Sequence, residues 1–220
     1  MKLKYIALTD KLYRYLREQR SDAADPILKA LQEETNALGD ISRMQISPEQ
    51  GTFLSILVAA LGVKSAIEVG TFTGYSSVCI ARGLAAGGRL LCLDASSEWT
   101  AIARRYWKKA GLENRIELQL GSAIPLLNNL EAGMTFDFAF IDAAKSEYAA
   151  YYELLWPRIR QHGVIIFDNM LWGGRLGGSR PIKDPDGAAL DALNKQLAAD
   201  SRVESVLLPV ADGLQICRKK

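Results

Sequence analysis

The chain has 220 residues, a formal net charge of +2, 49% hydrophobic residues and 24% charged residues. This balance suits one folded domain over residues 1–220 and argues against nucleic-acid binding, which needs a strong positive charge. No stretch is apolar enough to span a membrane, and the N-terminal residues lack the apolar core of a signal peptide, so we expect a cytoplasmic protein. A single histidine and three cysteines without metal or redox spacing argue against histidine catalysis and a zinc site.

The first third of the chain predicts helices. Apolar residues recur at three- and four-residue spacing within the segments 10–19, 25–38 and 47–61. In the third segment Ser47 is a predicted N-cap, and Pro48 occupies the first helical position. We therefore expect an N-terminal helical region over residues 1–62, whose apolar side chains could pack on a second subunit. The candidates for that packing are Ile27, Leu28, Leu31 and Leu38.

Strands and helices alternate from residue 65 onward. Strands are predicted at 65–70, 89–94, 115–121, 136–142 and 163–168, and helices at 75–84, 98–111, 122–130, 146–160 and 186–200. Two further strands, at 203–210 and 214–218, flank a turn and form a predicted hairpin. The pattern predicts a Rossmann-like, doubly wound α/β core over residues 63–220. Its seven-stranded sheet would be mostly parallel, with the antiparallel hairpin at one edge.

The first two strands end in residues that suit a nucleoside-type ligand. Gly70 and Gly74 allow a sharp turn and a close approach of the backbone, and Ser76 lies in the first turn of the next helix. Asp94 ends the second strand, where a carboxylate can bind ribose hydroxyls. The spacing is not G-x-G-x-x-G, so the dinucleotide motif is absent. A plain turn at the glycines and a helix cap at Asp94 are the alternatives.

Oxygen-bearing side chains also end the fourth and fifth strands. Asp142 follows the fourth strand, and Asp168 and Asn169 follow the fifth. If these strands are neighbours, two carboxylates lie close together, and a divalent cation would relieve their repulsion. Carboxylate and amide oxygens are the ligands that Mg²⁺ or Ca²⁺ prefers. Ordinary capping and turn formation by these residue types is the alternative.

Lys145 follows Asp142 by three residues and starts the next predicted helix. The helix dipole, a nearby cation and burial would all favour the neutral amine, which can accept a proton. Lys145 is therefore a candidate general base, and a surface lysine is the alternative.

These motifs resemble those of a known family. The segments "MQISPEQGTFL", "IEVGTFTGYSS", "LLCLD", "FDFAFIDAAKSEYAAYYE" and "GVIIFDNMLWGG" are similar to the small cation-dependent O-methyltransferases that use S-adenosylmethionine. Caffeoyl-CoA and catechol O-methyltransferases belong to this class, and the chain looks most like its bacterial members. The resemblance covers nearly the whole chain. It implies methyl transfer to a hydroxyl of a catechol-type aromatic acceptor, such as a phenylpropanoid, a flavonoid or a coenzyme A ester.

The resemblance also implies roles for individual residues. Asp142, Asp168 and Asn169 would bind the divalent cation, which we expect to be Mg²⁺, with Ca²⁺ or Mn²⁺ as alternatives. Lys145 and Asp142 would be catalytic, and Tyr148 and Trp172 would line the acceptor site. The residues implied for S-adenosylmethionine are Met44, Glu68, Gly70, Thr71, Ser76, Asp94, Ala123 and Asp142. The resemblance further implies a homodimer.

Two features depart from the family pattern. Plant members commonly carry an aspartate where this chain has Ala144, so we expect a change in metal affinity or acceptor choice. The segment 174–187 is the least family-like, and it carries Arg175, Arg180 and Lys183. We predict that this segment contacts an anionic acceptor, and a solvated connection is the alternative.

Other functions stay open on the residues alone. A nicotinamide-dependent oxidoreductase could use a similar sheet, although the absent dinucleotide motif counts against it. A non-catalytic nucleoside-binding domain would leave the strand-end carboxylates and Lys145 without a purpose. RNA methylation ranks low, because the chain has no basic stripe.

Overall fold

The computed structural model describes residues 4–178 and 182–220. Three helices precede the sheet: α1 (Asp10–Glu18), α2 (Pro26–Asn36) and α3 (Pro48–Ala60). A 3₁₀ helix, Gly39–Met44, connects α2 to α3. The predicted caps are present, since the Asp25 side chain accepts from two backbone N–H groups of α2 and the Ser47 side chain accepts from one of α3.

The remaining elements alternate along the chain. They are β1 (Ser65–Val69), α4 (Tyr75–Gly83), β2 (Arg89–Asp94), α5 (Ser97–Lys109), β3 (Ile116–Leu120), α6 (Ala123–Asn128), β4 (Phe136–Ile141), α7 (Tyr148–Leu155), β5 (Ile159–Phe167), α8 (Pro185–Ala199), β6 (Val203–Leu208) and β7 (Leu214–Lys219). The seven strands form one sheet in the order β3-β2-β1-β4-β5-β7-β6. Strands β1 to β5 pair in parallel, and β7 pairs antiparallel with β5 and β6. The predicted Rossmann-like fold is confirmed.

Two predicted boundaries were wrong. The helix predicted over 146–160 is α-helical only to Leu155, because Pro157 lacks the N–H group that a continuing helix needs and a 3₁₀ turn ends it. Strand β5 then begins at Ile159 rather than at residue 163. The 3₁₀ helix at Gly39–Met44 was not predicted, because its six residues are too short to display a helical period.

Buried side chains cover both faces of the sheet. On β4, Phe138 and Phe140 pack into the core beneath α3 and α4, whereas Ala139 and Ile141 pack on the opposite face. This alternation explains why the strands read as continuous apolar runs, since both faces are covered by helices. No helix in the described portion of the chain is long and apolar enough to cross a membrane.

The N-terminal helices α1 and α2 differ in how far their apolar side chains are buried in this chain. Leu28 and Leu31 on α2 are buried in the core of this chain, so the expectation that they pack on a second subunit was wrong. Helix α1 has no buried residue, and it exposes Tyr15 and Leu16 to solvent. Ile27 on α2 is half-buried and Leu38, just beyond α2, is exposed, so Leu38 and the apolar side chains of α1 are available to a partner.

Candidate active site

The site lies where the strand order reverses, between β1 and β4. The chain builds β1, β2 and β3 outward in one direction and then returns to place β4 on the other side of β1. Ligands bind at such a switch point, beyond the carboxyl ends of the strands. Backbone hydrogen bonds from Asp142 to Val69 (2.9 Å) and from Asp168 to Ile141 (3.0 Å) align the ends of β1, β4 and β5. Two acidic residues distant in sequence thus follow neighbouring strands.

Asp168 is a buried carboxyl, only 3% exposed. Burial and the negative charge of Asp142 raise the pKa of Asp168 to about 7, and the adjacent Gln50 side chain and the backbone N–H of Asn169 act in the opposite direction. That N–H donates to Asp168 Oδ1 at 2.6 Å. Asn169 has a φ of 61°, a left-handed conformation that asparagine tolerates better than most residues.

The donor set of this acidic pair suits a hard cation. The carboxylates of Asp142 and Asp168 repel each other, and the half-buried Asn169 follows Asp168 directly. Carboxylate and amide oxygens are the ligands that Mg²⁺ or Ca²⁺ prefers. Across residues 4–178 and 182–220, no three His, Cys, Asp or Glu side chains cluster as a metal site. The predicted set has only two such residues and needs the asparagine amide to complete it, so the cation stays a prediction.

Lys145 lies against the acidic pair. Its Nζ donates to Asp142 Oδ1 at 2.7 Å and to the Tyr148 hydroxyl at 2.8 Å, and its side chain is mostly buried. Burial and the charges of Asp142 and Asp168 hold the pKa of Tyr148 well above its usual range. The Tyr148 ring packs on Phe167 in the core, at 5.7 Å between centroids, and Lys145 Nζ lies 5.0 Å from the centroid of the same ring.

The glycine loop, residues 70–74 between β1 and α4, packs against the end of β4. Gly70 has a φ of 90°, and a Cβ built on it would lie 2.0 Å from the carbonyl oxygen of Asp142. Only glycine fits at this position. Gly74, with a φ of 89°, is the N-cap of α4. The loop therefore lies directly against the end of β4 at Gly70 and leads into α4 at Gly74.

Asp94 supports this loop from the end of β2. Its Oδ2 accepts from the backbone N–H groups of Thr71 and Phe72, both at 2.8 Å, and its Oδ1 accepts from Ser96 at 2.7 Å. Ser96 itself caps α5, so Asp94 is not needed as the helix cap. The Asp94 carboxylate thus holds the backbone of the glycine loop at the end of β2. Its predicted contact with a ribose stays a prediction.

Glu68 is fully buried behind the loop. Burial raises the pKa of Glu68 to about 7, against the opposing influence of the Ser76, Thr71 and Cys92 side chains. Cys92 Sγ donates to Oε2 at 3.3 Å, whereas Oε1 and the Thr71 hydroxyl have no hydrogen-bond partner within the described residues. Buried polar atoms are normally satisfied, so these two atoms are suited to a polar group of a bound molecule.

Comparison with known proteins identifies the family. A family model described as O-methyltransferase matches residues 18–220. The chain belongs to this family. It is 38% identical over 202 residues to a probable caffeoyl-CoA O-methyltransferase 2 of Dictyostelium discoideum, covering 90% of the chain and 87% of that protein. It is also 38% identical over 185 residues to tricin synthase 2 of Oryza sativa subsp. japonica, covering 80% of the chain but only 63% of that longer protein.

A solved structure agrees with this assignment. The O-methyltransferase from Bacillus cereus, determined in complex with SAH, is 32% identical and superposes with a TM-score of 0.86, over 94% of this chain and 96% of that one. The resemblance stated from the sequence motifs and the enzyme class that it implied are confirmed.

Two other predicted residues of this O-methyltransferase, Met44 and Ala123, make no hydrogen bond to the acidic pair in the part of the chain that the structure describes. Met44 ends the 3₁₀ helix and is 42% exposed, and Ala123 is the first residue of α6. No hydrogen bond within the described residues joins either of them to Asp142 or Asp168. Next to Met44, however, Gln45 Nε2 donates to Thr73 in the glycine loop at 3.3 Å, which ties the 3₁₀ helix to the loop.

Trp172 follows the acidic strand end by four residues. Its Nε1 donates to the Asp184 carboxylate, and its ring packs against Gly187 at the start of α8. The guanidinium of Arg175 lies over this ring, 5.1 Å from the centroid. Arg175 and Lys183 are exposed beside it, whereas the predicted Arg180 lies outside the described residues. Trp172 thus holds the loop after β5 against α8.

Sequence reasoning missed two residues of the site. Gln50, in the first turn of α3, lies beside Asp168, and Cys92, in the middle of β2, contacts Glu68. A polar residue in the apolar helix 48–60 was a signal for Gln50. Nothing distinguished Cys92 from an ordinary buried apolar residue.

Proposed function

We propose that this O-methyltransferase transfers the methyl group of S-adenosylmethionine to a hydroxyl of a catechol-type aromatic small molecule and requires a divalent cation. The observation that carries the proposal is the pairing of Asp142 with Lys145 at 2.7 Å, beside the buried Asp168. A base, an acidic pair and a glycine loop meet at one switch point. The SAH in the Bacillus cereus structure supports the choice of methyl donor.

The glycine loop is the proposed site of the donor. The unpaired Glu68 Oε1 and Thr71 hydroxyl would accept or donate hydrogen bonds to the amino-acid portion of S-adenosylmethionine. The N-terminus of α4 suits its carboxylate, because the first N–H groups of a helix have no partner within the helix. Asp94 would bind the ribose. The full proposed set is Met44, Glu68, Gly70, Thr71, Ser76, Asp94, Ala123 and Asp142.

The acidic pair is the proposed site of the cation. Asp142, Asp168 and Asn169 would hold Mg²⁺, or Ca²⁺ or Mn²⁺ in its place. A bound cation lowers the pKa of a coordinated hydroxyl and so helps the acceptor to ionise near neutral pH. The raised pKa of Asp168 is consistent with this assignment, because it reflects burial and, after that, the repulsion of Asp142, which a cation would relieve.

Lys145 is the proposed general base. Its Nζ would accept the proton of the acceptor hydroxyl, and the Tyr148 hydroxyl holds Nζ in place at 2.8 Å. Lys145 Nζ donates to Asp142 Oδ1 at 2.7 Å, so engagement of Asp142 by a cation would release Nζ toward the acceptor hydroxyl.

Methyl transfer then needs alignment more than further chemistry. The acceptor oxygen forms a bond to the methyl carbon while the bond between that carbon and the sulfur breaks, and the sulfur keeps the electron pair. The positive charge of the sulfonium is lost in this step. Fixing the two reactants in line can contribute about 7–11 kcal/mol toward lowering the barrier. In this protein the close contact of Gly70 with Asp142 would set the distance between donor and acceptor sites.

The acceptor is proposed to be anionic or to carry an anionic group. Arg175 and Lys183 are exposed on the loop after Trp172, where a coenzyme A ester or a phenolic acid would meet positive charge. The caffeoyl-CoA O-methyltransferase relatives support this choice. Phenylpropanoids and flavonoids without such a group are the other members of the proposed class.

The assembly is proposed to be a cytoplasmic homodimer. Each chain would act as one catalytic domain over residues 1–220, in which the N-terminal helical region, residues 1–62, packs on the core of residues 63–220. The exposed apolar side chains of α1, Tyr15 and Leu16, support a subunit contact at this helix.

A radiolabel assay tests the function. Purified protein is incubated with methyl-labelled S-adenosylmethionine and a panel of catechols, flavonoids, phenolic acids and coenzyme A esters, with Mg²⁺ or with excess chelator. We expect Mg²⁺-dependent label in a catechol-type acceptor, lost in Asp168→Ala and kept in Asp191→Ala, a half-buried aspartate on α8 that pairs with Lys195. Equal labelling in chelator would remove the cation from the mechanism. No observation supports an oxidoreductase or a non-catalytic binding domain.

A further inference from the structure

The side chain of Gln50 is a buried polar group that the proposed mechanism does not use. It is 1% exposed, and its Nε2 has no hydrogen-bond partner within the described portion of the chain. Leaving an amide donor unpaired in the interior destabilises the folded protein, because the group gives up its hydrogen bonds to water without a replacement. Such exceptions are few in folded proteins, and each requires an explanation.

The packing of α3 holds Gln50 in place. Its backbone N–H is capped by the Ser47 hydroxyl at 3.4 Å. The next residue, Gly51, has no room for a side chain, because a Cβ there would lie 2.8 Å from both Cys79 Sγ and the Tyr75 ring. Helix α3 is therefore pressed against α4, and Gln50 has little freedom to turn away from the site.

The amide of Gln50 lies beside the Asp168 carboxylate. Asp168 Oδ1 accepts from the backbone of Asn169 at 2.6 Å, and the carboxylate keeps further lone pairs that can accept from a side-chain donor. Hydrogen bonds in catalytic sites are often long before ligands bind and shorten in the complex. An unpaired donor next to a buried carboxylate fits this pattern.

We propose that Gln50 is a positioning residue: its Nε2 donates to Asp168 and orients the carboxylate for a divalent cation, an inference that rests on the proposed metal-dependent function. Carboxylates that bind metals are themselves held by hydrogen bonds. The loss of such a partner typically lowers metal affinity about 10- to 100-fold. Gln50 thereby connects helix α3, in the N-terminal helical region, to the catalytic centre.

The test measures Mn²⁺ binding by electron paramagnetic resonance, together with thermal stability, in the full-length protein. Gln50→Met removes the donor but keeps the length and the helix preference of the side chain. We expect its Mn²⁺ affinity to fall about 10-fold or more. Its melting temperature should stay near that of the wild type, because an unsatisfied donor is replaced by an apolar group. Gln50→Asn, whose amide is one methylene short, should also bind Mn²⁺ less tightly.

The matched control is Gln215→Met, the same change at a second buried glutamine, which lies on β7 beside Cys217. It should keep wild-type Mn²⁺ affinity. A folded Gln50 variant with wild-type Mn²⁺ affinity overturns the proposal, as does a raised acceptor KM with unchanged Mn²⁺ binding. Unfolding of both Gln50 variants while the control folds would assign Gln50 a purely structural role. If the wild type itself shows no Asp168-dependent Mn²⁺ binding, the proposed metal function fails instead.

Discussion

Replacing Glu68 by glutamine should change how the stability of the ligand-free protein depends on pH. Glu68 is fully buried, and its pKa is raised from 4.5 to about 7. Below pH 4.5 the carboxyl is protonated in both the folded and the unfolded chain. Between pH 4.5 and 7 the unfolded chain releases the proton first, so the native state loses stability as the pH rises through this window.

The size of the effect follows from the shift. Each unit of pKa difference corresponds to about 1.4 kcal/mol, so a shift from 4.5 to about 7 corresponds to about 3 kcal/mol in the free energy of unfolding. Glutamine has nearly the same shape and does not ionise. The free energy of unfolding of Glu68→Gln, relative to that of the wild type, should therefore rise by about 3 kcal/mol as the pH increases from 4.5 to 8.

Urea denaturation in chelator, from pH 4.5 to 8, measures this difference. Asp168 also has a raised pKa, but it is present in both proteins, so its contribution cancels in the comparison. Glu98→Gln, at an exposed glutamate in the first turn of α5, is the control and should run parallel to wild type. A difference between Glu68→Gln and wild type that stays constant with pH would refute the assignment of a buried, largely protonated Glu68.

Three further predictions concern the site. Asp168→Ala should abolish Mg²⁺-dependent turnover while circular dichroism stays native; retained turnover would contradict the metal role. Asp94→Ala should weaken SAH binding, measured by calorimetry, about 10-fold or more through the loss of charged hydrogen bonds, and should affect the acceptor KM far less. Equal losses would disprove the ribose assignment. Gly70→Ala should cost about 2–4 kcal/mol in urea denaturation, because its Cβ meets the Asp142 carbonyl at 2.0 Å; a smaller cost would mean that β1 and β4 can separate.

Several features of the fold followed from local patterns in the sequence. Helix starts at Asp25 and Ser47 were readable because capping depends on residues within one turn. The parallel sheet was readable because helices cover both faces and make its strands continuously apolar. That Asp142 and Asp168 share one edge followed from the geometry of parallel strands. The family followed from motifs spread along nearly the whole chain.

Boundaries and residue contacts required the tertiary structure. The period of the segment after Tyr148 did not reveal that the α-helix ends at Leu155 and that β5 begins at Ile159. Tyr148 was predicted to line the acceptor site, and the structure shows its ring packed on Phe167 with Lys145 Nζ in contact with both the hydroxyl and the ring, so the acceptor contact stays a prediction. A helical period shows which face is apolar, but it does not show which atom of an amphipathic side chain meets a site.

What the sequence by itself determined is the order of the elements, the edge of the sheet that carries the polar residues, and the family. The order β3-β2-β1-β4-β5-β7-β6 and the proximity of Gln50 to Asp168 were decided only by the tertiary structure. These two residues are separated by more than half of the chain, and Gln50 lies on a helix that packs closely on α4 at Gly51. Contacts of this kind depend on how the elements pack, and no local pattern encodes the packing.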